Sequence, residues 1–157
     1  MKTLPAFGRI YNVSMKLYIA NTTENMQNIL AITPSSNASI CVLCIFTSDN
    51  IQKENMSITY LKIYSSVNKT NSETLTKLVS LQTWNDIEIA QVNMADGVYR
   101  YLIKLNGVQV VYSINSGVEV FGNVTVYQSS PLIEPTNGQV DELTISTSDT
   151  GLQICLI

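Results

Sequence analysis

The chain has 157 residues and a formal net charge of −3, with 9 Lys and Arg against 12 Asp and Glu and no histidine. Charged residues supply only 13% of it, about half the usual share, and no basic run offers the face that counterion-release binding to nucleic acid requires. The missing histidine removes the Ser-His and Cys-His nucleophile pairs and the commonest neutral metal ligand.

The length fits a single domain, residues 1–157, able to bury roughly 70% of its unfolded surface without a metal or disulfide scaffold. No stretch of about 18 apolar residues occurs, so no membrane span is expected. After Lys2 no apolar run follows, and Met1 to Phe7 do not form a signal peptide. The chain is therefore expected to be cytosolic if Met1 is the true start, and extracellular or secreted if it is part of a longer protein; the second reading is preferred.

The first periodic element runs from Arg9 to Ala20. Tyr11, Val13, Met15, Leu17 and Ile19 alternate there with Asn12, Ser14, Lys16 and Tyr18, the pattern of a half-buried strand. Apolar runs follow at Asn28–Ile32, Ser39–Thr47, Ser57–Val67, Leu75–Leu81, Trp84–Val92 and Val98–Leu105. Val108–Ile114, Val118–Tyr127, Gln139–Thr147 and Leu152–Ile157 complete the series. Gln27–Ile32 is a weak helix candidate that fits a strand as well. Asp96-Gly97 and Asn137-Gly138 mark turns, and Asn106-Gly107 is a strong two-residue hairpin signal because a type I′ turn needs positive φ at both positions. The polar segment Ser66–Thr74 reads as a loop. Gln128–Asn137, with two prolines, reads as the passage from one sheet to the other. Short strands at this spacing predict an all-β, two-sheet antiparallel sandwich.

Four strings in order carry a resemblance. They are Trp84-Asn85-Asp86-Ile87-Glu88-Ile89-Ala90-Gln91, then Tyr99-Arg100-Tyr101-Leu102-Ile103-Lys104-Leu105-Asn106-Gly107, then Phe121-Gly122-Asn123-Val124-Thr125-Val126-Tyr127. Ser130-Pro131 followed by Gly138-Gln139-Val140-Asp141-Glu142-Leu143-Thr144-Ile145 is the last. Together they resemble the "W-x-x-I-x-I-x-Q", "Y-x-Y-x-I-x-I-N-G", "F-x-N-V-x-V-Y" and "S-P … G-x-I-x-x-L-x-I" strands of concanavalin A-like lectin/glucanase jelly rolls, laminin-G-type modules included. The resemblance spans Trp84 to Ile145 and implies two curved sheets packed face to face, with ligand sites in rim loops or on the concave face. It also implies that Trp84 is a core residue and raises calcium, held in rim loops, as a cofactor. Asp49, Asp96, Asp141 and Asp149 lie near strand ends, yet none forms a dense oxygen-ligand motif; solvated turn aspartates and no metal site are the expectation.

Asp86 and Glu88 alternate, which puts both on one face about 7 Å apart, as a glucanase acid pair needs. The third acid of that family's triad is replaced by Trp84 or Ala90, so no catalytic residue is assigned. Six sequons offer glycosylation at Asn12, Asn21, Asn37, Asn55, Asn68 and Asn123. Cys41 and Cys44 are three apart and in a regular strand point to opposite faces, so a disulfide, if present, is expected between Cys155 and one of them; otherwise all three are buried apolar residues. Tyr99 and Tyr101 share a face with Ile103 and Leu105 and look like core, whereas Tyr18, Tyr60, Tyr64 and Tyr127 are candidates to face a ligand.

The expected function is a non-enzymatic extracellular recognition or adhesion module for a glycan or a protein partner. The alternative is a structural sandwich that self-associates through edge strands. A glycan-cleaving enzyme ranks third.

Overall fold

The computed structural model describes every residue except 24, 38, 54–55, 95, 130–132, 149–151 and 157; for 50, 52–53, 56 and 152–156 it describes the backbone alone. The described residues form twelve strands. They are β1 (Lys2–Phe7), β2 (Tyr11–Asn21), β3 (Gln27–Pro34), β4 (Leu43–Lys53), β5 (Met56–Val67) and β6 (Thr70–Ser80). After these come β7 (Trp84–Asn93), β8 (Tyr99–Leu105), β9 (Val108–Ile114), β10 (Phe121–Gln128), β11 (Asn137–Thr147) and β12 (Leu152–Leu156).

Two six-stranded antiparallel sheets result, ordered β1-β10-β3-β4-β5-β6 and β12-β11-β2-β7-β8-β9. Period-two alternation explains how they meet. In β2, Val13, Met15, Leu17 and Ile19 are buried while the residues between them are half-exposed. In β7, Ile87 and Ile89 turn inward in the same way. Their counterparts in the first sheet are Leu30, Ile32, Leu43, Ile45, Leu61 and Ile63. Side chains of opposite parity in that sheet form a second cluster, where Ala31, Cys44 and Phe46 pack with Tyr64, Tyr127 and Ile133.

The core holds a polar knot around Tyr101. The Tyr101 hydroxyl shares hydrogen bonds with the hydroxyls of Ser65 and Thr74, which ties β8 to β5 and β6 across the sandwich. This arrangement satisfies a buried phenol that would otherwise carry a desolvation penalty.

Three local expectations change. Lys2–Phe7, unassigned from sequence, is an edge strand, a position where Pro5 is tolerated. Ser66–Thr74 is not a loop: β5 and β6 continue through it, joined at Asn68 and Lys69, both at positive φ (55° and 62°). Its polarity reflects an exposed edge strand, not missing structure. Finally, Cys41 and Cys44 are disulfide-bonded to each other, with Cα atoms 5.9 Å apart. Cys41 precedes the start of β4, so strand alternation does not govern its direction. Both partners offered to Cys155 are thereby taken; the side chain of Cys155 lies outside the described residues.

Candidate functional site

The outward face of the second sheet gathers most of the chemistry. Ladder register puts Tyr18 opposite Trp84, Lys16 opposite Asp86, and Ser14 opposite Glu88. On one side β8 sets Lys104 against Glu88. On the other, β11 sets Gln139 against Tyr18 and Asp141 against Lys16. Four strands thus lay an aromatic row beside a charged row.

The charges are held in place locally. Lys104 Nζ donates to Glu88 Oε2 at 3.0 Å, and Lys16 Nζ donates to Glu142 Oε1 at 2.6 Å. The second contact exists because β11 carries a bulge between Asp141 and Thr144, with Glu142 at φ 50°. The extra residue turns the Glu142 carboxylate onto the lysine, as bulges often re-aim a side chain. That hydrogen bond raises the Lys16 pKa. The type I′ turn at Asn106-Gly107 clamps the neighbouring corner: Asp86 N–H donates to Asn106 Oδ1, and Asn106 N–H donates to Asp86 O, both at 2.8 Å.

Between these groups lies a depression of about 270 Å³, lined by Ser14, Lys16, Asp86, Glu88, Lys104 and Glu142 among others. Lys16 and Lys104 stand there against Asp86, Glu88, Asp141 and Glu142, so the face is net acidic. At its end sits the Tyr18–Trp84 pair, with ring centroids 5.4 Å apart and planes tilted by 49°.

Trp84 is 45% exposed and not a core residue. It shares the parity of Asp86 and Glu88, and Ile87 and Ile89 take the inward positions. Tyr101 is fully buried and Tyr99 half-buried. The four candidate tyrosines are not brought together. Tyr18 lies on this face, whereas Tyr64 and Tyr127 pack around Phe46 on the first sheet, where Tyr60 also belongs. Tyr64 donates its hydroxyl to Glu73 at 3.0 Å.

Asp86 and Glu88 share the outward face, yet Glu88 is engaged by Lys104, and Trp84 and Ala90 flank the two on their strand. For calcium, no three His, Cys, Asp or Glu side chains come together among the described residues. Asp96 is bound by Arg100, Asp141 Oδ1 accepts the Glu142 N–H, and Asp49 Oδ2 accepts the Ser48 hydroxyl. Asp149 lies outside the described residues. These aspartates do not fit a shared metal site.

Among the sequons, Asn21, Asn37, Asn68 and Asn123 are exposed. Asn12 is half-buried, with its Oδ1 enclosed and without a hydrogen-bond partner. Asn68 accepts the Ser116 N–H and hydroxyl through its Oδ1. Asn55 lies outside the described residues. Lys16, Lys104 and Glu142 were not singled out from sequence, where their only signal was polarity, and Asn106 stood out only as a turn residue.

No family model matches the chain, and no curated protein matches it. Among solved structures the chain is similar to a native heptameric SAP-like pentraxin from Limulus polyphemus, with 17% identity and a TM-score of 0.57. The match covers 92% of this chain and 66% of that one, so the chain spans less than two thirds of its neighbour. The fold is a jelly roll. The likeness shows the fold alone, the two-sheet sandwich that the strings from Trp84 to Ile145 implied, and nothing in it points to the laminin-G type. No helix among the described residues is long and apolar enough to cross a membrane.

Proposed function

We propose that this jelly roll is a non-enzymatic recognition module that binds neutral glycans on the outward face of β2, β7, β8 and β11. The observation that carries the reading is Trp84, an exposed ring held against Tyr18 beside a polar depression. An aromatic ring offers a rigid apolar platform to the C–H face of a sugar, and the neighbouring fixed acceptors and donors suit its hydroxyls. Excess negative charge on the face disfavours sulfated and sialylated glycans. The sandwich shared with the pentraxin supports binding over catalysis by fold analogy. The exposed sequons and the Cys41–Cys44 disulfide support an extracellular or secreted setting.

The test is a glycan array of the folded protein, run with calcium and with chelator. Specific binding to uncharged glycans in both conditions is expected. A blank array sinks the glycan reading and moves the search to a protein partner. Binding lost in chelator contradicts the metal-free face. Binding that survives loss of the Trp84 ring moves the site to the rim hollow of about 430 Å³ near Val98, Tyr99 and Ile114.

A further inference from the structure

A sheet edge presents a row of unpaired N–H and C=O groups, which proteins ordinarily guard with charge, proline or a covering segment. β9 ends the second sheet and, among the described residues, pairs only with β8. Its residues Val108, Gln109, Val110, Val111, Tyr112, Ser113 and Ile114 include neither a charge nor a proline. Val108, Tyr112 and Ile114 are 64%, 54% and 57% exposed. The edges of the first sheet differ: β1 carries Lys2 and Pro5, and β6 carries Glu73 and Lys77.

One hydrogen bond fixes which groups point outward. Asn115 N–H donates to Tyr99 O at 3.0 Å. Ladder alternation then turns the N–H and C=O of Ser113 toward β8, and those of Tyr112 and Ile114 away from it. The outward groups form a docking strip for an extended strand.

We propose that the occupant is a second copy of this chain, whose own β9 lies antiparallel against the first and joins the two sheets into one. Reversed against itself about Ser113, the regular part of the strand sets Tyr112 of each copy on Ile114 of the other, two exposed apolar residues that share the outward face opposite Leu102 and Arg100. Charges flanking the strand are neutralised within each copy, Arg100 by Asp96 at 2.7 Å and Lys104 by Glu88 at 3.0 Å. A two-fold axis therefore sets no unpaired charge against its like. The contact is isologous, so it closes at two copies. The bulge between Ile103 and Lys104 distorts the start of β9. It leaves the regular edge short, which places the dimer in the weak, concentration-dependent class.

Sedimentation velocity of the full chain over a concentration series tests the assignment, with Ile114→Lys and Ile114→Pro (which removes only an outward N–H) as edge variants and Leu78→Lys on β6 (45% exposed) as the control. Wild type and the Leu78 variant are expected to shift from monomer to dimer as concentration rises. Both edge variants are expected to stay monomeric with unchanged circular dichroism and melting. Amide exchange gives a readout that needs no variant: Tyr112 and Ile114 amides slow with concentration, whereas the Ser113 amide, already turned to β8, does not. A wild type that stays monomeric throughout overturns the proposal. So does a dimer that survives both edge substitutions or is lost in the Leu78 variant.

Discussion

Trp84 and Tyr18 face each other across the β7–β2 ladder with ring centroids 5.4 Å apart, on the side of the sheet turned away from the core. The pair is supported by its own backbone hydrogen bonds and not by burial. Replacing Trp84 therefore separates recognition from folding. Trp84→Ala is expected to cost about 1 kcal/mol of stability or less, the scale of one aromatic pair. Glycan affinity is expected to fall at least tenfold, about 1.4 kcal/mol. Calorimetric titration beside a urea melt reads both; equal losses in the two would mean a packing role.

Gly138 is the backbone support of the same pair. A Cβ placed there would meet Tyr18 O at 2.3 Å and Ile19 Cα at 3.2 Å. Neither contact is with a flexible side-chain end, so the β2–β11 ladder must move. Gly138→Ala is expected to destabilise by about 1–3 kcal/mol and to weaken glycan binding by shifting Tyr18. A urea melt with unchanged midpoint would refute this.

Burial pushes the Tyr101 hydroxyl above the ordinary tyrosine value of 10.0, and burial again, with Tyr101 nearby, pushes the Tyr11 hydroxyl well above it. The neutral phenols are the form the fold favours. Their contribution is complete below the unfolded value of about 10 and is lost as pH rises through and beyond it. Urea midpoints are expected to be insensitive to these groups up to about pH 9 and to fall above about pH 10. Tyr101→Phe removes part of that alkaline loss. At neutral pH it costs about 1–2 kcal/mol, because Ser65 and Thr74 lose a buried partner. A flat profile to pH 11 would contradict the assignment.

Non-reducing peptide mapping is expected to recover Cys41 linked to Cys44. Closing so short a loop stabilises by about 2 kcal/mol on the chain-entropy view. Reduction should lower the urea midpoint slightly without unfolding the sandwich. A Cys155-containing cross-linked peptide would overturn the pairing.

Expressed through a secretory pathway, the chain is expected to carry glycans at Asn37 and Asn123. Both are exposed, and their segments adjoin, with Ser35 N–H donating to Asn123 O at 2.6 Å. Asn12, half-buried in mid-strand with an enclosed Oδ1, is expected to stay bare. Mass mapping after peptide-N-glycosidase treatment checks each position; occupancy at Asn12 would show that the face opens.

Alternation carried much of the fold into the sequence. The inward set of β2 and the hairpin at Asn106-Gly107 needed only local information, because side-chain period and turn chemistry act within a few residues. The site was less legible for three separate reasons. Lys16 and Glu142 are 126 residues apart, and their meeting depends on a ladder register that no local pattern encodes. The resemblance placed Trp84 in the core, although Asp86 and Glu88 two and four residues on mark its parity as outward. The cysteine pair was misread because β4 begins at Leu43, two residues later than the alternation assumed.

The bulge in β11 has a consequence for how such a face can diversify. Gln139 and Asp141 lie outward before it, Thr144 and Ser146 lie outward after it, and Glu142 is the residue by which the two phases differ. A chain lacking Glu142 would run an unbroken ladder with Leu143 and Ile145 still in the core. Losing or gaining one residue here exchanges a carboxylate wall for open surface and frees Lys16. Specificity can therefore drift by length change at a single position, while selection on the core sees nothing.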